Sequence, residues 1–182
     1  MTIEKTFIQD LVIITPGVFE DSRGYFFEAY NQAKFLENGI NYQFIQDNQS
    51  FSKKGVIRGL HLQINPYAQA KLVRVLEGEI LDVAVDMRKN SPTYGQHFKV
   101  LLSAENKKQL MVPHGFAHGF SVLSETASVL YKVDEVYHKE SERGIRYYDP
   151  TLAIDWQISA EELIVSEKDL VLPGFNEIDW TF

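Results

Sequence analysis

The 182-residue chain carries a formal net charge of −7, with 45% hydrophobic and 24% charged residues. That length and mix suit a soluble globular domain with a sizeable core, and the acidic balance argues against a nucleic-acid-binding surface. The sequence holds no cysteine, which removes disulfides and thiolate metal sites. No apolar run is long enough for a membrane span, and residues 1–15 mix charged with apolar residues, unlike a signal peptide. A cytoplasmic protein is expected.

Residues 2–14 contain two apolar runs, the second (Leu11 to Ile14) closed by the turn Thr15-Pro16-Gly17. Val18 to Tyr30 reads as two short strand pieces around the polar turn Asp21-Ser22-Arg23-Gly24. Asn31 to Asn38 fits a short helix, with Asn31 as N-cap and Gly39 just past its end. Gln46-Asp47-Asn48-Gln49-Ser50 is polar and reads as a turn. Strand signals then recur at 56–63, 71–77, 79–87, 97–103, 109–112, 118–124 and 126–136, with turns at Gly78, Asn90-Ser91-Pro92 and Pro113-His114-Gly115. Short strands at near-regular spacing, without alternating helices, predict a mostly β protein: a sandwich or barrel. After Asp149-Pro150, the capping-box pattern Ser159-Ala160-Glu161-Glu162 predicts a helix, and Ser166-Glu167-Lys168-Asp169 a second helical turn.

The strand around Val56-Ile57-Arg58-Gly59-Leu60-His61-Leu62-Gln63 invites attention, because it sets an arginine and a histidine in an apolar run. Strict alternation places Arg58 and His61 on opposite faces. A one-residue bulge at Gly59 brings them to the same face, and glycine in a strand is where bulges occur. The strand is therefore expected to line a pocket, with His61 as its chemical group. Lys71, Arg74, Tyr131 and Lys132 are further titratable groups within apolar strands. A histidine tuned near neutrality can remove a proton, a tyrosine can return one, and a carboxylate such as Asp169 can orient the imidazole. Taken singly, each has a plainer reading: His61 as a hydrogen-bonded core histidine, Tyr131 as a strand aromatic, Asp169 as a helix cap. Arg23, Arg58, Lys71 and Arg143, with Gln46, Asn48 and His118 as neutral donors, would suit a phosphate or carboxylate if the fold brings them together. No glycine-rich phosphate loop or dinucleotide fingerprint is present.

Two resemblances sharpen this reading. Gly55-x5-His61-x-Gln63 and Pro113-x-Gly115-x2-His118 resemble the paired motifs of the cupin superfamily, double-sheet jelly rolls whose motif histidines usually bind a metal. Gln63 stands where that family has its second histidine, and residues 66–68 offer no acidic ligand, so no metal site is expected. Further, Asp21-Ser22-Arg23-Gly24-Tyr25-Phe26-Phe27-Glu28, Gln46-Asp47-Asn48, Val56 to His61, Lys71-Leu72-Val73-Arg74-Val75, Pro113 to Phe120 and Glu142-Arg143-Gly144-Ile145 follow one another in order. Together they resemble the dTDP-4-dehydrorhamnose 3,5-epimerase family from about Phe7 to the end of the chain. Two positions depart from that pattern: Ala70 stands where glycine is expected and His114 where proline is commoner.

The resemblance implies a cofactor-independent 3,5-epimerase that converts dTDP-4-dehydro-6-deoxy-D-glucose to dTDP-4-dehydro-L-rhamnose by removing and returning protons at C3 and C5, with a single-carbon epimerase of a dTDP-4-keto-6-deoxyhexose as the alternative and a non-catalytic cupin as a remoter one. His61 would be the base, held by Asp169; Tyr131 the acid on the opposite ring face; Lys71 the stabiliser of the enolate oxygen. Arg23, Phe26, Glu28, Gln46, Asn48, Arg58, His118, Glu142, Arg143 and Lys168 match positions that hold nucleotide, diphosphate or sugar. The family resemblance also implies a homodimer with exchanged N-terminal strands. The expected organisation is one domain over residues 1–182: strands and a short helix to residue 50, a jelly-roll core over 51–148, and a helical tail over 149–182.

Overall fold

The computed structural model describes residues 1–182. In chain order the elements are β1 (Thr2–Lys5), β2 (Val12–Thr15), β3 (Phe19–Asp21), β4 (Gly24–Phe26), α1 (Gln32–Glu37), β5 (Gln46–Lys53), β6 (Val56–Gln63), β7 (Lys71–Glu77), β8 (Glu79–Asp86), β9 (His97–Ser103), β10 (Gln109–Val112), β11 (Phe116–Val122), β12 (Thr126–Val133), β13 (Glu142–Gly144), β14 (Ile164–Val165) and α2 (Glu167–Leu170). One sheet runs β1-β2-β10-β7-β12-β5 and is antiparallel throughout. The facing sheet runs β13-β6-β11-β8-β9, with β14 added in parallel beside the start of β6. β3 and β4 form a separate hairpin. Of the sandwich and the barrel that the strand spacing allowed, this is the sandwich, in the jelly-roll form that the cupin resemblance implied, with short helices near the N-terminal third and the C-terminus.

Alternation builds the core. Val73, Val75 and Val129 of the first sheet meet Ile80, Ala84, Phe116 and Phe120 of the second. The opposite face of the second sheet, Ile57, Leu60, Leu81, Val83 and Val85, is covered by Ile145, Leu152, Trp156 and Trp180 from the chain's last third. On the outer face of the first sheet, Leu72 and Met111 pack under Phe35 of α1 and Ile40. β8 and β11 are thus buried on both faces, which explains why they read as nearly continuous apolar runs.

Asn31 caps α1 as expected, accepting a hydrogen bond from the Lys34 amide, and Gly39 takes positive φ beyond it. Two local expectations need correction. Gln46–Ser50 is not a turn but the start of β5, paired with β12 from Val133↔Gln46 to Thr126↔Lys53. Its weak strand propensity is overridden by that ladder, and its inward side chains are polar because they border a cleft rather than the core. Ser159–Glu162 forms a turn, not a helix, held by the Glu162 amide on the Ser159 carbonyl at 3.1 Å. The chain must straighten there so that the Ile164 amide can reach the Gly55 carbonyl at 2.9 Å, beside β6.

The bulge at Gly59 is present. His118 stands opposite His61 and Phe120 opposite Arg58, so Gly59 and Leu60 share the single residue Gly119 across the ladder. Gly59 adopts φ +121°, and a methyl group there would lie 2.6 Å from the Gly119 Cα. Leu60 consequently faces the outer cluster, while Arg58 and His61 both line the interior cleft. Gly59→Ala is expected to lower Tm by roughly 5–10 °C, through a cost of about 2–3 kcal/mol. Calorimetry checks this; an unchanged Tm would show that the bulge relaxes freely.

Candidate active site

The cleft opens between the two sheets where inward residues change from apolar to polar. It encloses about 510 Å³, lined among others by Arg58, His61, Lys71, His118, Tyr131 and Asp169. A second lobe of about 270 Å³ shares His61, Lys71 and Tyr131 and adds Gln46, Asn48, Tyr137 and Glu142.

His61 reaches the cleft from β6, and its Nε2 lies 2.7 Å from Asp169 Oδ1. Asp169 Oδ2 accepts the Gly59 amide at 3.3 Å, so one carboxylate grips both the bulge and the imidazole. Asp169 is only 4% exposed, in the short helix α2 whose N-cap, Ser166, accepts the Asp169 amide at 3.2 Å. Burial opposes its charge, but the hydrogen bonds from His61 and Gly59 prevail and hold its carboxyl below the usual range. With Nε2–H donating to Asp169, the imidazole lone pair falls on Nδ1.

Lys71 opens β7 and lies on the cleft floor, partly exposed only towards the cleft. Its Nζ has neither a hydrogen bond nor an ion pair. Burial pushes the ammonium down to about 8, against the opposing pull of Asp82 and Glu142. Tyr131 projects from β12, between Asn48 of β5 and Val73 of β7. Its hydroxyl is likewise unpartnered; burial pushes its pKa up, with Arg58 partly opposing, so the phenol stays neutral. Arg58 at the mouth is steadied by Nε donating to Ser52 Oγ at 3.0 Å.

Behind the wall, His118 Nε2 lies 2.7 Å from Asp82 Oδ1. At the second lobe, Glu142 accepts from Tyr137 Oη at 2.8 Å and from Lys168 Nζ at 2.7 Å. Burial works against the Glu142 charge, yet these two bonds keep its carboxyl below the ordinary value. Gln46 Nε2 donates to Asn48 Oδ1 at 2.8 Å. Gln63, at the lost cupin-ligand position, is a structural knot: it donates to the Tyr67 and Val136 carbonyls and accepts from the His138 amide. No group of three or more His, Asp or Glu side chains has a spacing that could hold a metal ion.

Ten of the residues singled out in the sequence therefore converge: His61, Lys71, Tyr131, Asp169, Arg58, His118, Gln46, Asn48, Glu142 and Lys168. Four do not. Arg143 turns away, its Nη1 donating to the Glu140 and Glu142 carbonyls. Arg23 pairs with Asp21 on the β3–β4 hairpin, where Phe26 is 67% exposed, and both line a different hollow. Glu28 pairs with Lys34 and Asn31. Sequence reading passed over Asp82 and Tyr137. A lone aspartate inside Ile80-Leu81-Asp82-Val83-Ala84-Val85 was the available signal for the first; Tyr137, on a loop, offered none.

Comparison with known proteins points to one family. The sequence model of the family described as dTDP-4-dehydrorhamnose 3,5-epimerase matches residues 5–177. A dTDP-4-dehydrorhamnose 3,5-epimerase of Shigella flexneri is 50% identical over 99% of both chains. One from Methanothermobacter thermautotrophicus is 52% identical over 91% of this chain and 89% of its own. The crystal structure of the Elizabethkingia anophelis enzyme superposes with a TM-score of 0.95, at 54% identity and 99% coverage of each chain. A Legionella pneumophila 3,5-epimerase in complex with dTDP-4-keto-L-rhamnose gives 0.94, at 50% identity over 98% of this chain and 94% of that one.

An unpartnered ammonium in a half-buried position costs stability. Lys71→Met is expected to raise Tm at pH 7 by about 2–6 °C, from about 0.5–2 kcal/mol. The advantage should shrink with pH: Lys71 deprotonates near 8 when folded but near about 10.4 when unfolded. Between those values the unfolded chain binds the extra proton and native stability rises. Thermal melts of both proteins from pH 6 to 10 check this; a constant difference contradicts it.

Proposed function

The chain belongs to the dTDP-4-dehydrorhamnose 3,5-epimerase family, and we propose that it converts dTDP-4-dehydro-6-deoxy-D-glucose to dTDP-4-dehydro-L-rhamnose through the His61–Asp169, Lys71 and Tyr131 groups of its cleft. One observation carries the assignment of roles. A histidine with its lone pair set free by a buried carboxylate shares a cleft with an ammonium and a phenol that have no partners of their own.

The C4 ketone makes the hydrogens on C3 and C5 acidic, because loss of either leaves an enolate delocalised onto the C4 oxygen. His61 Nδ1 removes the proton, and Asp169 stabilises the imidazolium that forms. Lys71 meets the developing negative oxygen, an interaction strengthened by the low dielectric of the cleft and not competed for by any ion pair there. Tyr131, held neutral by burial, delivers a proton to the opposite ring face and inverts the centre. Once His61 has released its proton to solvent and Tyr131 has taken one up, the same cycle at the second carbon completes the double epimerisation. Protons leave and return, so the reaction needs no redox equivalent. Arg58 and His118 bind the diphosphate, and Gln46, Asn48, Glu142 and Lys168 bound the nucleotide and sugar ends of the cleft.

Arg23, Phe26 and Glu28 sit outside this chain's cleft, and we assign them to the cleft of a second copy in a homodimer that exchanges N-terminal strands. The exposed aromatic faces of Phe19, Tyr25 and Phe26 support that reading, since such a hairpin gains by being covered. We place the enzyme in the cytoplasm; no helix is long and apolar enough to cross a membrane.

Incubation with dTDP-4-dehydro-6-deoxyglucose in D2O, followed by NMR, is expected to place deuterium at both C3 and C5. Label at one carbon alone would make the protein a single-carbon epimerase; no label would remove the activity. His61→Ala should fold normally and lose roughly 10³-fold or more in kcat. Arg58→Ala should raise KM about tenfold, and an unchanged KM would take Arg58 out of the diphosphate site.

A further inference from the structure

β8 carries one charged residue inside its apolar run. Asp82 is fully buried and shares the inner face of the sandwich with Ile80 and Ala84. Its Oδ1 meets His118 Nε2, while its Oδ2 is buried without any hydrogen-bond partner. A carboxylate in that condition is costly unless opposite charge stands nearby. Lys71 shows the complementary deficit, an ammonium with no acceptor, and Asp82 is the acid that acts on it most strongly, ahead of Glu142.

The other groups around Lys71 do not supply that charge. β6 presents Arg58 and His61, β11 His118 and β12 Tyr131. α2 presents Lys168 and Asp169, and the second lobe Tyr137 and Glu142. Of the acids, Asp169 is committed to His61 and the Gly59 amide, and Glu142 is clamped between Lys168 and Tyr137. Only Asp82 keeps an oxygen uncommitted.

We propose that Asp82 is a positioning residue of the epimerisation: from behind the cleft wall it fixes the His118 ring and supplies the buried counter-charge for the Lys71 ammonium. It touches no substrate. Its pull on Lys71 passes through protein rather than water, where screening is weak. The ammonium is therefore kept as a cation without being tied up in an ion pair, and stays available to the enolate oxygen. The inference rests on the role given to Lys71 above.

The test titrates Lys71 directly, by NMR of enzyme carrying ¹³C-labelled lysine, in wild type, Asp82→Asn and Glu142→Gln. Asparagine keeps the shape and can still accept from His118, so only the charge is lost. The Lys71 midpoint is expected to fall by about one pH unit or more in Asp82→Asn, a tenfold change in proton affinity. The basic limb of kcat/KM should move with it. Glu142→Gln should move the midpoint by less. In the Lys71→Arg background, where the charge needs no neighbour, Asp82→Asn should leave the limb in place. An unmoved midpoint in folded Asp82→Asn, or a larger fall in Glu142→Gln, overturns the proposal. If Asp82→Asn does not fold, Glu142→Gln decides alone: a midpoint within a few tenths of wild type supports Asp82, and a fall of a unit or more refutes it. Because the titration needs no turnover, its failure is separable from failure of the epimerase reading, which shows in the deuterium experiment.

Discussion

The cleft depends on one carboxylate and what it holds. Asp169 comes from the last segment of the chain, yet it grips both the Gly59 amide and His61, more than a hundred residues away. Those two bonds join the bulged strand β6 to the tail that covers the outer face of its sheet. Without the bulge, Arg58 and His61 would face opposite sides, because alternation is strict wherever the ladder is regular. Without the tail, the imidazole would have no orienting acceptor. Packing of the tail against Leu60, Leu81 and Val83 is thus part of the machinery, although none of those residues faces the cleft.

The Lys71 ammonium and the hydroxyls of Tyr131 and Ser50 are left without partners in the cleft, in a fold that satisfies most of its buried polar atoms elsewhere. The Lys71 ammonium and the Tyr131 hydroxyl make no hydrogen bond, whereas Gln63, Asp86 and Asp149 are each fully engaged. Nearby polar groups are mutually committed: Glu142 with Lys168 and Tyr137, Gln46 with Asn48. Unmet hydrogen-bonding capacity is therefore concentrated where a substrate with an anionic transition state would meet it. This is a local sacrifice of stability of the kind active sites make.

Much of this was legible in the residues. Alternating apolar runs between glycine and proline turns gave the sandwich, because each strand had to bury one face against the other sheet. Gly59 between Arg58 and Leu60 gave the bulge, since no other residue type takes that backbone so readily. Where the reading failed, a non-local effect had decided. Gln46–Ser50 has the composition of a turn, but eight residues of β5 pair with β12, which sets Asn48 and Ser50 half-buried in the cleft wall. Ser159–Glu162 has a helix-start pattern, but β14 claims the next residues for β6. Local propensity is worth tenths of a kcal/mol per residue, and tertiary pairing outweighs it.

Fold class, family resemblance and the chemical kinds of residue available were all carried in the order of residues along the chain: a histidine, a lysine, a tyrosine and arginines set among apolar strands. The tertiary structure alone decided which of them act together. It brought Asp169 to His61 and set Asp82 behind His118. It also left Arg23, Phe26 and Glu28 outside the cleft lining. The physical reason is that alternation and turn chemistry are local and can be read along the chain. Charge compensation depends on distances through the folded interior, and these exist only once both sheets and the tail have closed around the cleft.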